Sequence, residues 1–237
     1  MKQLGVFASF LLLASFSSFA QTQLRLGTQQ LPPYTFTNEQ GAPDGVAVNV
    51  VRCALDAANV PYEITFWPWA RVQLMVRQDD LDGFFAASFS LERESYATLS
   101  AIIAPQEWRW YLLRDNPLDP ASADFRAQAR VSAYLGTNML SWLQLNSFNV
   151  ETAPATQGQL LELLKLKRVD AVLANNLVME KILRDSAQQN IVRSVLQEDK
   201  PLGVYFSKQY LARNPDFLAG FNARIPGCRE KIGDLSR

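Results

Sequence analysis

The chain has no histidine among its 237 residues. Catalysis built on a His base and metal centres ligated by His are therefore excluded. Cysteine is scarce, with Cys53 and Cys228 as the only two, too few without histidine for a convincing metal site, and neither a metal nor a cofactor is expected. Net charge is missing as well, since 23 basic residues balance 23 acidic ones. A neutral balance gives no electrostatic drive toward nucleic acid or an anionic membrane. The small basic cluster Lys165, Lys167 and Arg168 reads as a solvated helix end. Long apolar runs are lacking too. The longest extends from Leu4 to Phe16, short of the roughly 20 residues that a membrane span needs.

That run follows Lys2 and leads to Ser18-Phe19-Ala20, a small-x-small cleavage site before Gln21, so residues 1–20 read as a secretory leader. No cysteine follows the site, and a lipoprotein is not expected. Loss of the leader with Lys2 leaves the acidic side one ahead. About 217 residues remain, comfortable for two modest lobes. In an exported chain an even cysteine count favours a Cys53–Cys228 bridge, tying the first helix to the last; two buried free thiols are the alternative.

The most informative stretch runs from Phe66 to Asp115. Trp69 to Arg77 has helical apolar spacing through Val72, Met75 and Val76, and Leu81 to Phe85 is a short buried strand. The loop after such a strand lies at the top of a sheet, where open α/β folds bind ligands. Here it carries Ser88, Ser90, Glu92 and Arg93. Arginine presents a planar fork of donors that suits a carboxylate, and serine donates beside it. These residues suit an anion receptor better than a reaction centre.

Around this unit, Leu24 to Gly27 and Tyr62 to Phe66 read as strands, and Val46 to Asn59 as the first helix. Pro68 stands near the start of the Trp69 helix, where its missing N–H costs little. Trp69 and Arg71 either face a cleft or serve the core and the surface. Trp108 to Leu113 is an aromatic strand, followed by a Pro/Asp/Ala/Ser-rich connector from Pro117 to Asp124. The crossover between lobes is placed at about 112–116. Arg130 to Tyr134 is then a strand, and Gly136-Thr137-Asn138 opens a helix through Leu145. Free N–H groups at that start, with Thr and Asn side chains, suit an anion or a plain N-cap. Arg168 to Leu173 repeats the hydrophobic-Asp-small pattern of Leu81-Asp82-Gly83, so the halves read as related α/β units. Asn175 follows, then a helix from Leu177 to Ser186. Asp199 to Leu202 is the return crossover, and Gln209 to Ile225 a last amphipathic helix.

The ordered motifs resemble those of periplasmic solute-binding proteins of family 3. A strand ending in Gly27-Thr28, the Pro33-Tyr34 stretch and Gly41-x-x-x-Gly45 match the family's opening. Asp82-Gly83, the Ser turn, Glu92-Arg93 and Leu99-Ser100 match its signature, without the proline that often follows. Pro68-Trp69-x-Arg71 is similar to a proteobacterial subgroup, and Gly203 to Lys208 with Asn214-Pro215 matches the family's end. The resemblance implies a periplasmic-binding-protein-like type II fold: two α/β lobes, residues 21–112 with 203–237 and residues 113–202, joined by two hinge strands. It also implies capture of a small solute for an ABC permease, or for a membrane sensor, by a periplasmic monomer.

Under this resemblance Arg93 anchors an acidic group, with Ser88 and Ser90 beside it. Tyr34 or Phe36 and Trp69 supply aromatic walls, with Arg71 nearby, and Thr137, Asn138 and Asn175 clamp from the second lobe. Amino-acid binders of the family carry an aspartate near position 175 that pairs with the ligand's α-ammonium. Asn175 can accept a hydrogen bond but cannot neutralise a charge, which points to a carboxylate without an α-ammonium or to another small polar molecule. A rival reading is a dehydratase-like enzyme with Glu92 or Asp170 as the acid.

Overall fold

A computed structural model describes residues 23–233; the expected leader lies outside them. β1 (Leu24–Thr28) buries Leu24 and Leu26. A short hairpin of β2 (Phe36–Thr37) and β3 (Pro43–Asp44) leads into α1 (Val46–Ala57). Gly45 precedes that helix at φ 114°, and a Cβ there would lie 2.4 Å from the Tyr34 carbonyl oxygen, so only glycine fits. β4 (Tyr62–Phe66), α2 (Trp69–Arg77) and β5 (Gly83–Ser88) follow, then one helical turn, α3 (Leu91–Glu94), and β6 (Ala97–Leu99). β5 is buried along its whole length, as a central strand covered on both faces must be.

The second half contains β7 (Glu107–Leu113), α4 (Phe125–Gln128), β8 (Arg130–Ser132), α5 (Asn138–Leu145) and β9 (Asn149–Thr152). α6 (Gln157–Lys165) starts with a capping box between Thr156 and Gln159. β10 (Ala171–Asn175), α7 (Asn176–Asp185) and β11 (Val192–Asp199) complete that half. The chain ends with β12 (Leu202–Ser207), α8 (Lys208–Arg213) and α9 (Phe217–Ile232).

Two five-stranded sheets result, ordered β4-β1-β5-β12-β6 and β11-β7-β10-β8-β9. In each, three parallel strands continue into two antiparallel ones. The same polar lock recurs in both. Arg25 donates from its backbone N–H and guanidinium to Asp82, and Arg130 does so to Asp170. Each aspartate stands just ahead of the third parallel strand, so the hydrophobic-Asp-small pattern marks a real structural repeat.

The chain passes between the sheets twice, and the two passages lie side by side. Lys200 N–H donates to the Gln106 carbonyl at 2.8 Å, and Gln106 Nε2 donates to the Lys200 carbonyl at 2.7 Å. This corrects the crossover expected at 112–116. β7 belongs to the second sheet, paired with β10 and β11, so the chain has already left the first sheet before Glu107. Trp108, Trp110 and Leu112 pack into the second core with Val131 and Leu173. The expected final helix is also two helices. Pro215 lies in the break between α8 and α9, where its missing N–H suits a chain turn. α9 then runs past Pro226 to Ile232. Its Cys228 is bonded to Cys53 of α1, across 175 residues of sequence.

Candidate functional site

The tops of β1, β5 and β10 converge between the lobes. β5 ends at Ser88, one turn before Arg93, so Ser88 is a strand residue and not a loop residue as expected. Arg93 is only 3% exposed. Its Nε donates to Gln73 Oε1 at 3.0 Å, its Nη1 donates to the Ser88 carbonyl at 3.0 Å, and its guanidinium lies 5.2 Å from the Trp69 ring centroid. Among the described residues no carboxylate pairs with it, although 10 ion-pair contacts occur elsewhere. Burial lowers its pKa to about 10, which leaves it charged at neutral pH.

A cleft of about 30 Å³ adjoins this guanidinium. It brings together six of the ten expected residues: Trp69, Ser88 and Arg93 from the first lobe, and Thr137, Asn138 and Asn175 from the second. Asn138 Nδ2 reaches across to Ser88 Oγ at 3.3 Å and the Phe89 carbonyl at 3.0 Å. Gln73 Nε2 reaches the Gly136 carbonyl at 3.4 Å. Gly136 stands beside Ala70 of the first lobe at φ 74°, a left-handed conformation that glycine adopts without strain. Thr137 acts as the N-cap of α5: its Oγ1 donates to the Tyr134 carbonyl and accepts from Leu140 N–H.

The other four expected residues do not line this cleft. Tyr34 is fully buried beside the crossing segments, where its hydroxyl donates to the Pro105 carbonyl at 2.9 Å and burial pushes the phenol pKa up. Phe36 sits in the β2–β3 hairpin. Arg71 is exposed and stacks on Trp67, with 4.5 Å between guanidinium and ring centroid. Ser90 precedes α3, and its N–H donates to the Tyr205 hydroxyl at 3.0 Å.

Sequence reasoning missed Gln29, Gln106, Trp108 and Gln157, which all line the cleft. Gln29 directly follows β1, and the strand-top rule would have found it. Gln29 Oε1, Asn175 Oδ1 and both amide atoms of Gln157 are buried with no protein partner. Buried polar atoms are nearly always satisfied, so these groups present unmet hydrogen-bonding capacity toward the cleft. Among the described residues, Arg93 is the one ionisable side chain that lines it.

The residues expected for catalysis lie elsewhere. Glu92 is exposed and paired with Arg77, and Asp170 is held by Arg130 at 3.0 Å with its pKa lowered by that bond. Neither reaches the cleft.

The chain matches no protein-family profile and no curated protein sequence. Solved structures do match. A histidine kinase sensor domain with similarity to periplasmic binding proteins gives a TM-score of 0.75 at 18% identity, covering 88% of this chain and 91% of its own. A substrate-binding protein of an ABC uptake transporter from Streptococcus pneumoniae, with bound histidine, gives 0.75 at 14% identity, covering 89% and 90%. The chain has the periplasmic-binding-protein-like fold. The arginine-, lysine-, histidine-binding protein ArtJ from Geobacillus stearothermophilus gives 0.72 at 15% identity, covering 87% and 89%. These neighbours are binding proteins and a sensor domain, not enzymes. Among the described residues no helix is long and apolar enough to cross a membrane.

Proposed function

We propose that this protein is a periplasmic solute-binding protein that closes its two lobes around a small carboxylate for delivery to an ABC importer. The observation that carries the reading is Arg93: a buried guanidinium with no protein carboxylate, facing a cleft between two lobes. An uncompensated buried cation costs free energy unless an anion meets it. Serine, threonine and asparagine groups from both lobes surround it, and a ligand that touches both lobes favours the closed form.

The ligand class differs from that of the basic-amino-acid binders sharing the fold. Among the described residues no acidic side chain lines the cleft to balance an ammonium or a second guanidinium, and by the family resemblance Asn175 stands where amino-acid binders carry an aspartate. A carboxylate without an α-ammonium fits better. A second destination is also supported, because a histidine kinase sensor domain shares the fold over most of both chains. The same closed form would then be read by a membrane sensor. The protein works as a monomer in this account, with the crossing segments at 104–107 and 199–202 as the hinge.

Trp69 and Trp108 line the cleft, so their fluorescence reports its occupation. Titration of the exported form with mono- and dicarboxylates should give a saturable change that Arg93→Ala abolishes. A saturable change with cationic amino acids alone, unaffected by that substitution, would overturn the proposed ligand class.

A further inference from the structure

The cleft at Arg93 encloses about 30 Å³, room for a carboxylate head group or a pair of waters and little more. It does not stand alone. A second cavity of about 590 Å³ lies between the lobes and shares Gln29 and Gln157 with it. The larger cavity is walled by Pro32, Trp67 and Pro68 from the first lobe and by Tyr134, Val178 and Ile182 from the second. Its charged residues, Lys181 and Asp185, pair with each other at 3.0 Å, so its remaining surface is mainly apolar and aromatic, with polar groups from Gln30 and Thr156. The charged inner compartment and the wide, mainly apolar groove therefore share two carboxamides as a common wall.

The carboxamides of this shared wall, with Asn175 beside them in the inner cleft, define the chemistry of a ligand that would span both spaces. Gln29 Oε1 and Asn175 Oδ1 are acceptors without donors, and Gln157 has both a free acceptor and a free donor. Gln29 and Asn175 are each 5% exposed. Such groups pair with a neutral amide, which offers one N–H and one C=O. They do not neutralise an ammonium.

Resting on the solute-binding reading above, we propose that the ligand is an amide-linked acid: a small carboxylate joined through an uncharged acylamino group to an apolar or aromatic tail. The carboxylate meets Arg93, the amide sits among Gln29, Gln157 and Asn175, and the tail lies in the groove against Trp67. Gln157 and Trp67 are the residues that set the specificity.

Calorimetric titration with glycine, N-acetylglycine, N-hexanoylglycine, N-benzoylglycine and N-benzoylsarcosine tests this directly. Affinity should rise at least roughly tenfold from N-acetylglycine to the better of the two longer acyl glycines. The sarcosine analogue, which lacks the amide N–H, should bind at least roughly tenfold more weakly than N-benzoylglycine. Gln157→Leu and Trp67→Ala should each weaken the acyl glycines by a similar factor, Trp67→Phe should keep most of the affinity, and melting curves establish that all three variants fold. Binding of short carboxylates that depends on Arg93 but is indifferent to acyl length and to Gln157 would overturn the inference while leaving solute binding intact. If no carboxylate of any kind binds, the solute-binding reading falls as well.

Discussion

Asn138 Nδ2 donates across the interlobe cleft to Ser88 Oγ at 3.3 Å and to the Phe89 carbonyl at 3.0 Å. The helix start that sequence reasoning offered as an anion site or a cap thus does a third thing. It latches one lobe to the tip of the central strand of the other, within one turn of Arg93. A latch of one side-chain amide contributes about 1 kcal/mol. Asn138→Ala should raise the ratio of open to closed forms about fivefold. Small-angle scattering on the unliganded variant should show a larger radius of gyration than the parent, and an unchanged radius would contradict a latching role.

Arg93 should separate binding from stability. Its guanidinium is buried without an acidic partner, so Arg93→Met relieves a desolvated charge while losing two hydrogen bonds. Replacement of buried charge by an apolar side chain is often neutral or stabilising. The melting temperature of the ligand-free variant should therefore stay close to that of the parent or rise. Carboxylate affinity should fall by about 2–5 kcal/mol, which is on the order of thirty-fold to several thousand-fold in Kd. Arg93→Lys should not rescue it, because a point charge lacks the planar fork. A variant that loses stability and affinity in parallel would mark Arg93 as a structural residue.

The Cys53–Cys228 bridge closes a loop of 175 residues, which fastens α9 to α1. Limiting the unfolded chain in this way stabilises the fold by roughly 3–5 kcal/mol. Reduction, or the double substitution to serine, should lower the denaturant midpoint accordingly without changing the cleft. An unchanged midpoint would show that packing of Phe221 and Ile225 against the first core already fixes the helix.

The Arg130–Asp170 lock gives a pH dependence whose sign is set. Its bond from Arg130 holds the Asp170 carboxyl below its ordinary pKa of 3.8. A carboxyl with a depressed folded-state pKa contributes stability above its unfolded value and loses it as pH falls through the folded one. Asp170→Asn should thus lower the melting temperature at neutral pH, and the gap from the parent should close on acidification below about pH 4. A gap that is constant with pH would assign the effect to packing.

Local signals were legible where they depend on neighbours in sequence. The spacing of Val72 and Val76 marked α2, the run from Tyr62 to Phe66 marked β4, and Asp82 and Asp170 marked the start of equivalent strands. Non-local facts were not legible. The apolar run from Trp108 to Leu113 suits either sheet, and only its register against Val172 to Asn175 assigns it to the second. Tyr34 has the same sequence surroundings whether it roofs a cleft or fills space beside the crossing segments. The carboxamides of Gln29 and Gln157 carry no pattern at all. What marks them is the lack of a partner after burial, a property of the folded chain.

The most direct test is the melting temperature of residues 21–237, as parent and as Arg93→Ala, across carboxylates, cationic amino acids, polyamines and sugars. A ligand at a hundredfold excess over its Kd adds about 2.7 kcal/mol of stability. The account predicts stabilisation by one or more carboxylates that vanishes in the variant, and none by polyamines. Stabilisation that persists in Arg93→Ala, or that comes from cations instead, would contradict it.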